Sequence, residues 1–153
     1  MKRLLFILLA LLLFSACKKE KKIERNLWNN GGKWDIVKYE KIVTSSKPSN
    51  NKNEVTDNYG IFQFNKVGSG WIISSDEYDA YIENFNYTNT ENELSLSYYE
   101  TEGTETYDLD WKKNSFVIKI ENTSTDIVYS PNPEGDSLTV TTHRLYRYTC
   151  EKE

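Results

Sequence analysis

The chain has 153 residues, a formal net charge of −4, 14% aromatic residues and 27% charged residues. This length suits one domain. The acidic balance argues against nucleic acid as a partner, because binding nucleic acid needs a basic face. His143 is the only histidine, and Cys17 and Cys150 are the only cysteines, so the side chains for a zinc site are not convincingly supplied.

The amino terminus has the layout of a secretory signal peptide. Met1-Lys2-Arg3 gives a positive start, Leu4 to Phe14 an apolar stretch, and Ser15-Ala16 the small residues before Cys17. The apolar stretch is too short to span a bilayer. We therefore predict that residues 1–16 are a removable leader, whose loss leaves 137 residues with a charge of about −6. A retained transmembrane anchor is the alternative, and the charged residues 18–22 disfavour it.

Phe14-Ser15-Ala16-Cys17 resembles a bacterial lipobox. The resemblance implies that Cys17 receives a lipid on its sulfur, that the leader is cut before it, and that the new amino terminus is acylated. Two or more acyl chains anchor a protein stably to a membrane. In Gram-negative lipoproteins, an Asp directly after the lipidated cysteine is the usual signal for retention in the inner membrane. This chain has Lys18 at that position, so by this resemblance it lacks the retention signal. The expected location is therefore the bacterial cell envelope, as an outer-membrane lipoprotein, with its periplasmic or surface face left open.

Residues 17–30 are interpreted as the lipidated cysteine and a polar tether. Within them Ile23 and Leu27 are four residues apart and Trp28 follows, which predicts a single helical turn with an apolar side against the domain. Gly31-Gly32 would end that turn, because glycine tolerates the backbone angles that stop a helix. Residues 31–153 then form the folded domain.

From Lys33 onwards the pattern has a period of two residues, with β-branched and aromatic residues between turn signals. The connections are mostly short, which indicates sequential hairpins, and no stretch keeps a helical period. The candidate strands are Lys33–Thr44, Tyr59–Lys66, Gly70–Ser75, Ile82–Thr88, Glu93–Glu100, Glu105–Lys112, Ser115–Glu121, Asp126–Tyr129 and Ser137–Thr149.

The alternation within these strands predicts one apolar face and one wet face, as in antiparallel sheets. About eight such strands, or nine short ones, would close into an all-β, antiparallel, up-and-down barrel, which removes exposed edges. Side chains can fill such a barrel, or it can hold one small ligand. We assign Phe116, Ile118 and Ile120 to one face of their strand, and Tyr107, Leu109 and Trp111 to a face opposite Glu105, Asp108 and Asp110.

Two connections are long. Ser45–Asn58 is polar and contains Pro48, so it is either a floppy insertion or a lid over one end of the barrel. Ser130–Asp136 contains Pro131 and Pro133 and is predicted to be a stiff excursion before the last strand.

Gly32-Lys33-Trp34 resembles the Gly-x-Trp start of the lipocalins and of smaller bacterial lipocalin-like lipoproteins, and the resemblance extends over residues 31–149. It implies that Trp34 plugs the closed end of the barrel, next to Gly32. It also implies that a basic residue of the last strand packs across the indole. Arg147 is the expected residue and Arg144 its rival. Further agreement lies in the segments 31–37, 60–70, 85–87 and 93–96.

The leading expectation is that the barrel binds a small apolar or amphipathic molecule, with no cofactor and no metal. The alternative is an envelope interaction module that binds a protein partner or glycan through loops and outer aromatic residues such as Tyr81, Tyr99 and Trp71. Plain core packing is the competing interpretation for every lining residue. The candidate lining consists of Phe64, Phe85, Leu96, Tyr98, Trp111, Ile118 and Tyr146.

Catalysis is not expected. No Gly-x-Ser-x-Gly turn surrounds a serine, so the single histidine, His143, lacks the setting of a hydrolase triad. Cys150 is interpreted as a small strand residue near the end of the chain rather than a nucleophile. Asp76, Glu77 and Asp79 form an acidic loop that lacks the full ligand spacing of a calcium site, so a solvated turn is the favoured interpretation.

Overall fold

The computed structural model describes residues 18–75, 80–128 and 138–153. The predicted excursion Ser130–Asp136 and the acidic residues 76–79 lie outside these ranges. Residues 18–28 form a helix, α1, which a short 3-10 turn follows at Asn29–Gly31. The strands are β1 Lys33–Ser45, β2 Lys52–Phe64, β3 Ser69–Ser75, β4 Ala80–Asn89, β5 Glu93–Tyr98, β6 Thr104–Trp111, β7 Ser115–Val128 and β8 Leu138–Lys152.

The eight strands form a closed barrel in which every strand pairs with its neighbour in sequence and β8 returns to pair with β1. Each pairing is antiparallel, and the β1 ladder shifts register once, between Ile36 and Lys38. The all-β, up-and-down barrel predicted from the period-two pattern is therefore confirmed. The alternation carries apolar residues from each of the eight strands to the inside, where they form one continuous core.

The strand count differs from nine because Ser115–Glu121 and residues 126–128, the described part of the candidate strand Asp126–Tyr129, belong to one strand, β7. The polar residues 122–125 between them do not turn. They pair with β8 through the backbone, and two of their side chains also form cross-strand hydrogen bonds. Thr123 Oγ1 lies 2.9 Å from His143 Nδ1, and Arg144 donates to Ser124 Oγ over 2.9 Å. Such polar pairs stabilise a strand without a buried face.

Most of the predicted loop Ser45–Asn58 is also strand. Residues 52–58 belong to β2, and residues 52–57 pair with β1, so the connection shrinks to a tight segment around a 3-10 turn at Pro48–Asn50. Ser45 N donates to Asn51 Oδ1 over 2.7 Å, which closes this segment. The polarity of residues 45–58 predicted a loop. The structure shows a hairpin that extends into solvent, where both faces of the strands are exposed and polar residues are suitable on each.

Helix α1 closes one end of the barrel, which we call the floor. The helix is longer than the single turn predicted, and its Ile23 and Leu27 are 1% and 0% exposed. Their spacing of four residues places both on the face that packs on the core. The opposite end, where the hairpins β1–β2, β3–β4, β5–β6 and β7–β8 turn, is the mouth.

The barrel wall has two heights. Strands β1, β2, β7 and β8 have 13 to 15 residues, whereas β3, β4, β5 and β6 have 6 to 10. At about 3.3 Å per residue, the four long strands are on the order of 10–30 Å longer than the four short ones and project beyond them. We call this projecting part of the four long strands the tall wall.

Candidate functional site at the barrel mouth

Four of the residues predicted to line a cavity fill the barrel instead. Phe64, Phe85, Leu96 and Ile118 are each exposed by 1% or less. The rings of Phe64 and Phe85 lie 5.6 Å apart, and both contact further aromatic rings. Side chains alone can occupy the interior of an eight-stranded barrel. These four residues therefore belong to a packed core beneath the mouth.

The other three predicted lining residues lie at three different levels. Trp111 is at the floor, stacked on Phe116 with ring centroids 5.7 Å apart. Tyr146 lies in the tall wall, where it faces Ile120 of β7. Tyr98 borders the open space at the mouth. Of the seven residues predicted to line the site, the structure brings only Tyr98 to this open space.

Trp34 and Gly32 both lie at the floor. The Trp34 side chain is fully buried and donates from Nε1 to the Leu27 carbonyl oxygen of α1 over 2.8 Å. Gly32 has φ +70°, and a Cβ there would collide with the carbonyl oxygen of Phe64. The short Gly32–Trp34 segment therefore fixes how α1 and the end of β2 meet.

The cation over Trp34 is Lys152, which corrects the assignment of Arg147 and its rival Arg144. Lys152 Nζ lies 4.9 Å from the indole centroid and donates to the Asn26 carbonyl oxygen over 3.0 Å. Arg147 is half a strand away and forms an ion pair with Glu40 at 3.2 Å. The reason is register: Trp34 pairs with Lys152, the last residue of β8, whereas Arg147 pairs with Glu40.

The mouth contains an open depression of about 290 Å³, which we call the cup. Its base rests on the aromatic core, since the ring of Phe62 lies 5.8 Å from that of Tyr148 and the ring of Phe85 lies 6.1 Å from that of Tyr98. The cup is lined by Tyr59, Ile72, Ser74, Tyr81, Glu83, Tyr98, Thr101, Glu105 and Tyr148.

Four of the nine lining residues of the cup are tyrosines, and the rings of two further tyrosines, Tyr39 and Tyr107, pack against them. Tyr39 stacks on Tyr59 at 4.4 Å and lies 4.9 Å from Tyr148, which itself is 6.1 Å from Tyr107. The hydroxyls of Tyr98 and Tyr107 are 3.3 Å apart. These rings combine flat apolar faces with polar tips, a property that suits tyrosine to contacts with amphipathic molecules.

Two glutamates line the cup, one from β4 and one from β6. Glu83 is buried, lies opposite Ile72 in the β3–β4 ladder, and accepts a hydrogen bond from Thr101 Oγ1 over 3.1 Å. Glu105 lies at the exposed rim and accepts a hydrogen bond from the Tyr107 hydroxyl. Among the described residues, no lysine or arginine forms a salt bridge with either carboxylate, and none lines the cup.

The position of Glu105 corrects its assignment to the outer face. Glu105 and Tyr107 are two residues apart, so the pleat of β6 places them on the same side. The ladder agrees, because Glu105 lies opposite Leu96, a core residue of β5. An inward position therefore holds a carboxylate at the level where β6 leaves the core and reaches the mouth.

Burial controls the protonation of the cup tyrosines. Removal from water raises the pKa of Tyr98, Tyr107 and Tyr148 far above the ordinary value near 10, because the phenolate is the form that loses hydration. The pKa of Tyr39 is raised for the same reason. At neutral pH these tyrosines are therefore uncharged phenols.

His143 and Cys150 lie far apart in settings unlike a catalytic pair. His143 is exposed on β8, beside Thr123. Cys150 is fully buried opposite Phe116, and burial raises the pKa of its thiol well above the usual range, which disfavours the reactive thiolate. Neither residue contributes to the cup.

Within the described ranges, no group of three or more His, Cys, Asp or Glu side chains is arranged to hold a metal ion. The acidic residues Asp76, Glu77 and Asp79 lie outside those ranges. No helix among the described residues has both the length and the apolar character needed to cross a membrane.

One solved structure similar to this chain is that of a lipocalin-like protein from Bacteroides uniformis. The two share 16% sequence identity with a TM-score of 0.44, and the match covers 79% of this chain and 96% of the other. No protein-family model matches the chain. No curated protein matches it either. The description of the fold therefore rests on the closed eight-strand ladder itself.

Sequence reasoning missed most of the cup, including Tyr59, Glu83, Glu105 and Tyr148. The search for a lining followed the most apolar inward residues, and those residues form the core. Glu83 carried a usable signal: it lies two residues before Phe85 in β4 and so shares its side of the sheet. A carboxylate on the apolar side of a strand costs free energy unless it is hydrogen-bonded, which makes such a position worth noting.

Proposed function

We propose that this protein is a lipid-anchored lipoprotein of the bacterial envelope that binds a small amphipathic molecule in the cup at its barrel mouth. The apolar part of the ligand would pack on the tyrosine rings, and a positively charged end would reach Glu83 and Glu105. The protein would act as a binding module and not as an enzyme. The observation that carries the proposal is the cup itself, which is lined by two glutamates and several phenols above a packed core.

The chemistry of the lining favours a cation. Glu83 is buried and accepts hydrogen bonds from the hydroxyls of Thr101 and Tyr81, and the described residues supply no salt bridge to it. A buried charge is costly unless it is paired, so a cationic group that enters the cup would gain a favourable partner. Aromatic faces attract cations as well, through the negative charge density above the ring. The rings of Tyr98 and Tyr148 are among those that line the cup.

The size of the cup limits the ligand. Pockets for drug-sized molecules have volumes of about 300–1,000 Å³. At about 290 Å³ the cup is just below that range. The proposed ligand is therefore the size of a single aromatic amine or a short alkylamine, rather than a lipid or a polycyclic molecule.

The test uses three probes of nearly equal size that differ in charge: 2-phenylethylamine, which is a cation at neutral pH, the neutral 2-phenylethanol, and the anion phenylacetate. Isothermal titration calorimetry on the full chain would give each affinity. We expect the amine to bind most tightly and the anion not at all. Equal affinity for the amine and the alcohol would refute the role of the carboxylates.

The substitution Glu83→Gln keeps the shape of the cup and removes a charge. Hydrogen bonds to charged groups contribute about 1.5–3 kcal/mol, so we expect the amine to lose about tenfold to a hundredfold in affinity. Glu93→Gln is the matched control, because Glu93 is exposed on β5 near the floor. An organic extract of the purified protein, examined by mass spectrometry, would show whether a natural ligand of this class copurifies.

A second candidate function is protein or glycan recognition through the outer surface. Ile82 of β4 and Tyr99, which directly follows β5, lie near the mouth and are 54% and 57% exposed. If no amine probe binds and Tyr99→Ala abolishes retention of a partner without affecting folding, this second function replaces the first.

The proposed anchor has its own test. We expect Cys17→Ala to leave the protein unlipidated with its leader uncut, which intact-mass measurement on the membrane fraction would detect. Normal processing of this variant would refute the lipoprotein assignment and leave the amine-binding test unaffected.

A further inference from the structure

A second open depression lies under the floor, at the opposite end of the barrel from the cup. It has a volume of about 420 Å³ and lies between α1, the β6–β7 turn and the end of β8. We call it the floor groove. Its apolar wall is formed by Ile23 and Trp111, and asparagine side chains contribute further polar groups.

The floor groove collects positive charge from three separate parts of the chain. Lys19 and Lys22 come from α1, Lys112 and Lys113 from the β6–β7 turn, and Lys152 from the end of β8, while no acidic residue lines it. The chain as a whole carries a net charge of −4, so this concentration of lysines does not reflect the general composition. A groove of this kind attracts anions and raises their local concentration.

Two of these lysines are engaged within the protein. Lys19 forms an ion pair with Glu91 at 2.9 Å, and Lys152 lies over Trp34 while donating to the Asn26 carbonyl oxygen. Lys22, Lys112 and Lys113 are exposed, and none of them forms a salt bridge within the described part of the chain. Three ammonium groups are thus available to an external anion.

The position of the groove along the chain indicates which anion it would meet. Helix α1 is described from residue 18, directly after Cys17, and Lys22 lies on its second turn. Five residues of helix rise about 7.5 Å, which is within the Debye length of about 8 Å at physiological ionic strength. A membrane that holds Cys17 therefore lies close enough for its headgroups to interact with the groove.

We propose that the floor groove docks on the phosphate groups of anionic membrane lipids, so that the barrel stands on its floor with the cup facing away from the membrane. This inference depends on the amino-terminal attachment in the proposed function and not on the ligand of the cup. Lysines next to a membrane anchor favour anionic headgroups electrostatically. The ammonium groups of Lys22, Lys112 and Lys113 would contact the phosphates, and the indole of Trp111 would lie at the level of the headgroups.

The test compares the lipidated protein, purified from the membrane fraction, on two kinds of vesicle: phosphatidylcholine alone, and equal parts of phosphatidylcholine and phosphatidylglycerol. Brief acetylation of lysines followed by mass spectrometry reports which amines are covered. We expect labelling of Lys22, Lys112 and Lys113 to fall several-fold on the anionic vesicles and to recover at high salt. Lys47 and Lys52 at the mouth are exposed and should label equally on both. Equal labelling of the groove on the two vesicles would overturn the proposal.

A charge-reversal pair tests the same point by flotation. The double variant Lys112→Glu and Lys113→Glu alters an exposed turn, and the double variant Lys47→Glu and Lys52→Glu is its control at the mouth. We expect only the first pair to lose the extra binding that phosphatidylglycerol gives. If both variants lose it equally, overall charge and not the groove is responsible, and the proposal fails.

Inorganic phosphate and plain phosphatidylcholine vesicles distinguish membrane docking from a small-anion site and from a missing anchor. Inorganic phosphate added to protein on phosphatidylcholine vesicles should leave the groove lysines labelled. If phosphate alone protects them, the groove is a site for a small anion and the membrane-docking proposal fails. Failure of the chain to float with phosphatidylcholine would refute the amino-terminal attachment. Flotation that needs phosphatidylglycerol and is lost in the first double variant would still support the groove.

Discussion

The two ends of this barrel use the same construction for opposite purposes. At the floor, the inward residues are Trp34 and its apolar neighbours, α1 covers them, and the indole N–H is satisfied by a backbone carbonyl. At the mouth, the inward residues are tyrosines and glutamates, and no described element covers them. One end is sealed and dry, and the other is open and polar.

The difference shows that a side chain can point into the barrel without being apolar. Strand pleating decides direction for the whole length of a strand. Depth along the barrel then decides which residue types are suitable, since the core excludes water and the mouth does not. In β6 the inward positions change from Trp111 through Leu109 and Tyr107 to Glu105, from floor to rim. Polarity therefore rises along one face of a single strand.

The largest expected effect tests the sealed end. Trp34→Ala should lower the free energy of unfolding by about 3–5 kcal/mol, because it removes a large buried side chain and leaves a cavity under α1. Chemical denaturation with circular dichroism would measure it. Trp71→Ala is the control, since Trp71 lies on the outer face of β3 and is only partly buried. Equal losses in the two variants would contradict the distinction between floor and outer wall.

The next effect tests the open end through pH. Tyr148 keeps its phenolic proton in the folded barrel above pH 10, whereas the unfolded chain releases it, because burial raises the pKa in the folded state only. Stability is then complete below pH 10 and falls as the pH rises, by about 1.4 kcal/mol per pH unit for each such tyrosine. Tyr148→Phe should make this decline shallower by that amount.

Denaturant titrations at several pH values above 10 would measure the decline. The variant should have nearly the parent stability at pH 7, because no hydrogen bond of the Tyr148 hydroxyl is among those the structure describes. An unchanged slope in the alkaline range would show that Tyr148 is more hydrated than its burial among Tyr39, Phe62 and Tyr107 indicates.

The smallest effect distinguishes two basic residues of β8. Lys152→Ala removes a cation over Trp34 and a hydrogen bond to the Asn26 carbonyl, so we expect a loss of about 0.5–2 kcal/mol. Arg147→Ala removes a surface ion pair with Glu40, for which about 0.2–1 kcal/mol is typical. Thermal unfolding of both variants in low and high salt would check the order. A larger loss of stability for Arg147→Ala would contradict the assignment of Lys152 as the cation that stabilises the floor.

The sequence predicted the barrel because its apolar residues follow the strand period closely. It also predicted the apolar side of α1, since Ile23 and Leu27 share one helical face. It did not predict residues 52–58 or 122–125 as strand, because those residues face water on both sides and have no apolar pattern. Their structure depends on pairing with β1 and β8, which is a long-range property of the closed ladder.

The cup was not predictable from residue type alone. Lys152 and Arg147 differ by five positions, and the choice between them required the register of β8 against β1. The role of Glu105 required the parity of β6 together with the height at which the core ends. Short-range patterns determine the direction of a side chain, whereas register and depth are determined by the complete barrel.

The unequal height of the wall has a consequence for how copies of this molecule meet. In the described ladders β2 joins β3 only from Gly60 onwards, and β7 joins β6 only up to Lys119, so residues 52–57 and 120–128 bound the tall wall with open backbone edges. Such edges can recruit strands from neighbouring molecules, and natural proteins suppress this by placing charges there.

One edge carries Lys52, Glu54 and Asp57, and the other Glu121 and Asp126. Pairing of the second edge with its own copy would bring the acidic side chains of Glu121 and Asp126 together, and this repulsion keeps crowded molecules from growing into a shared sheet through that edge.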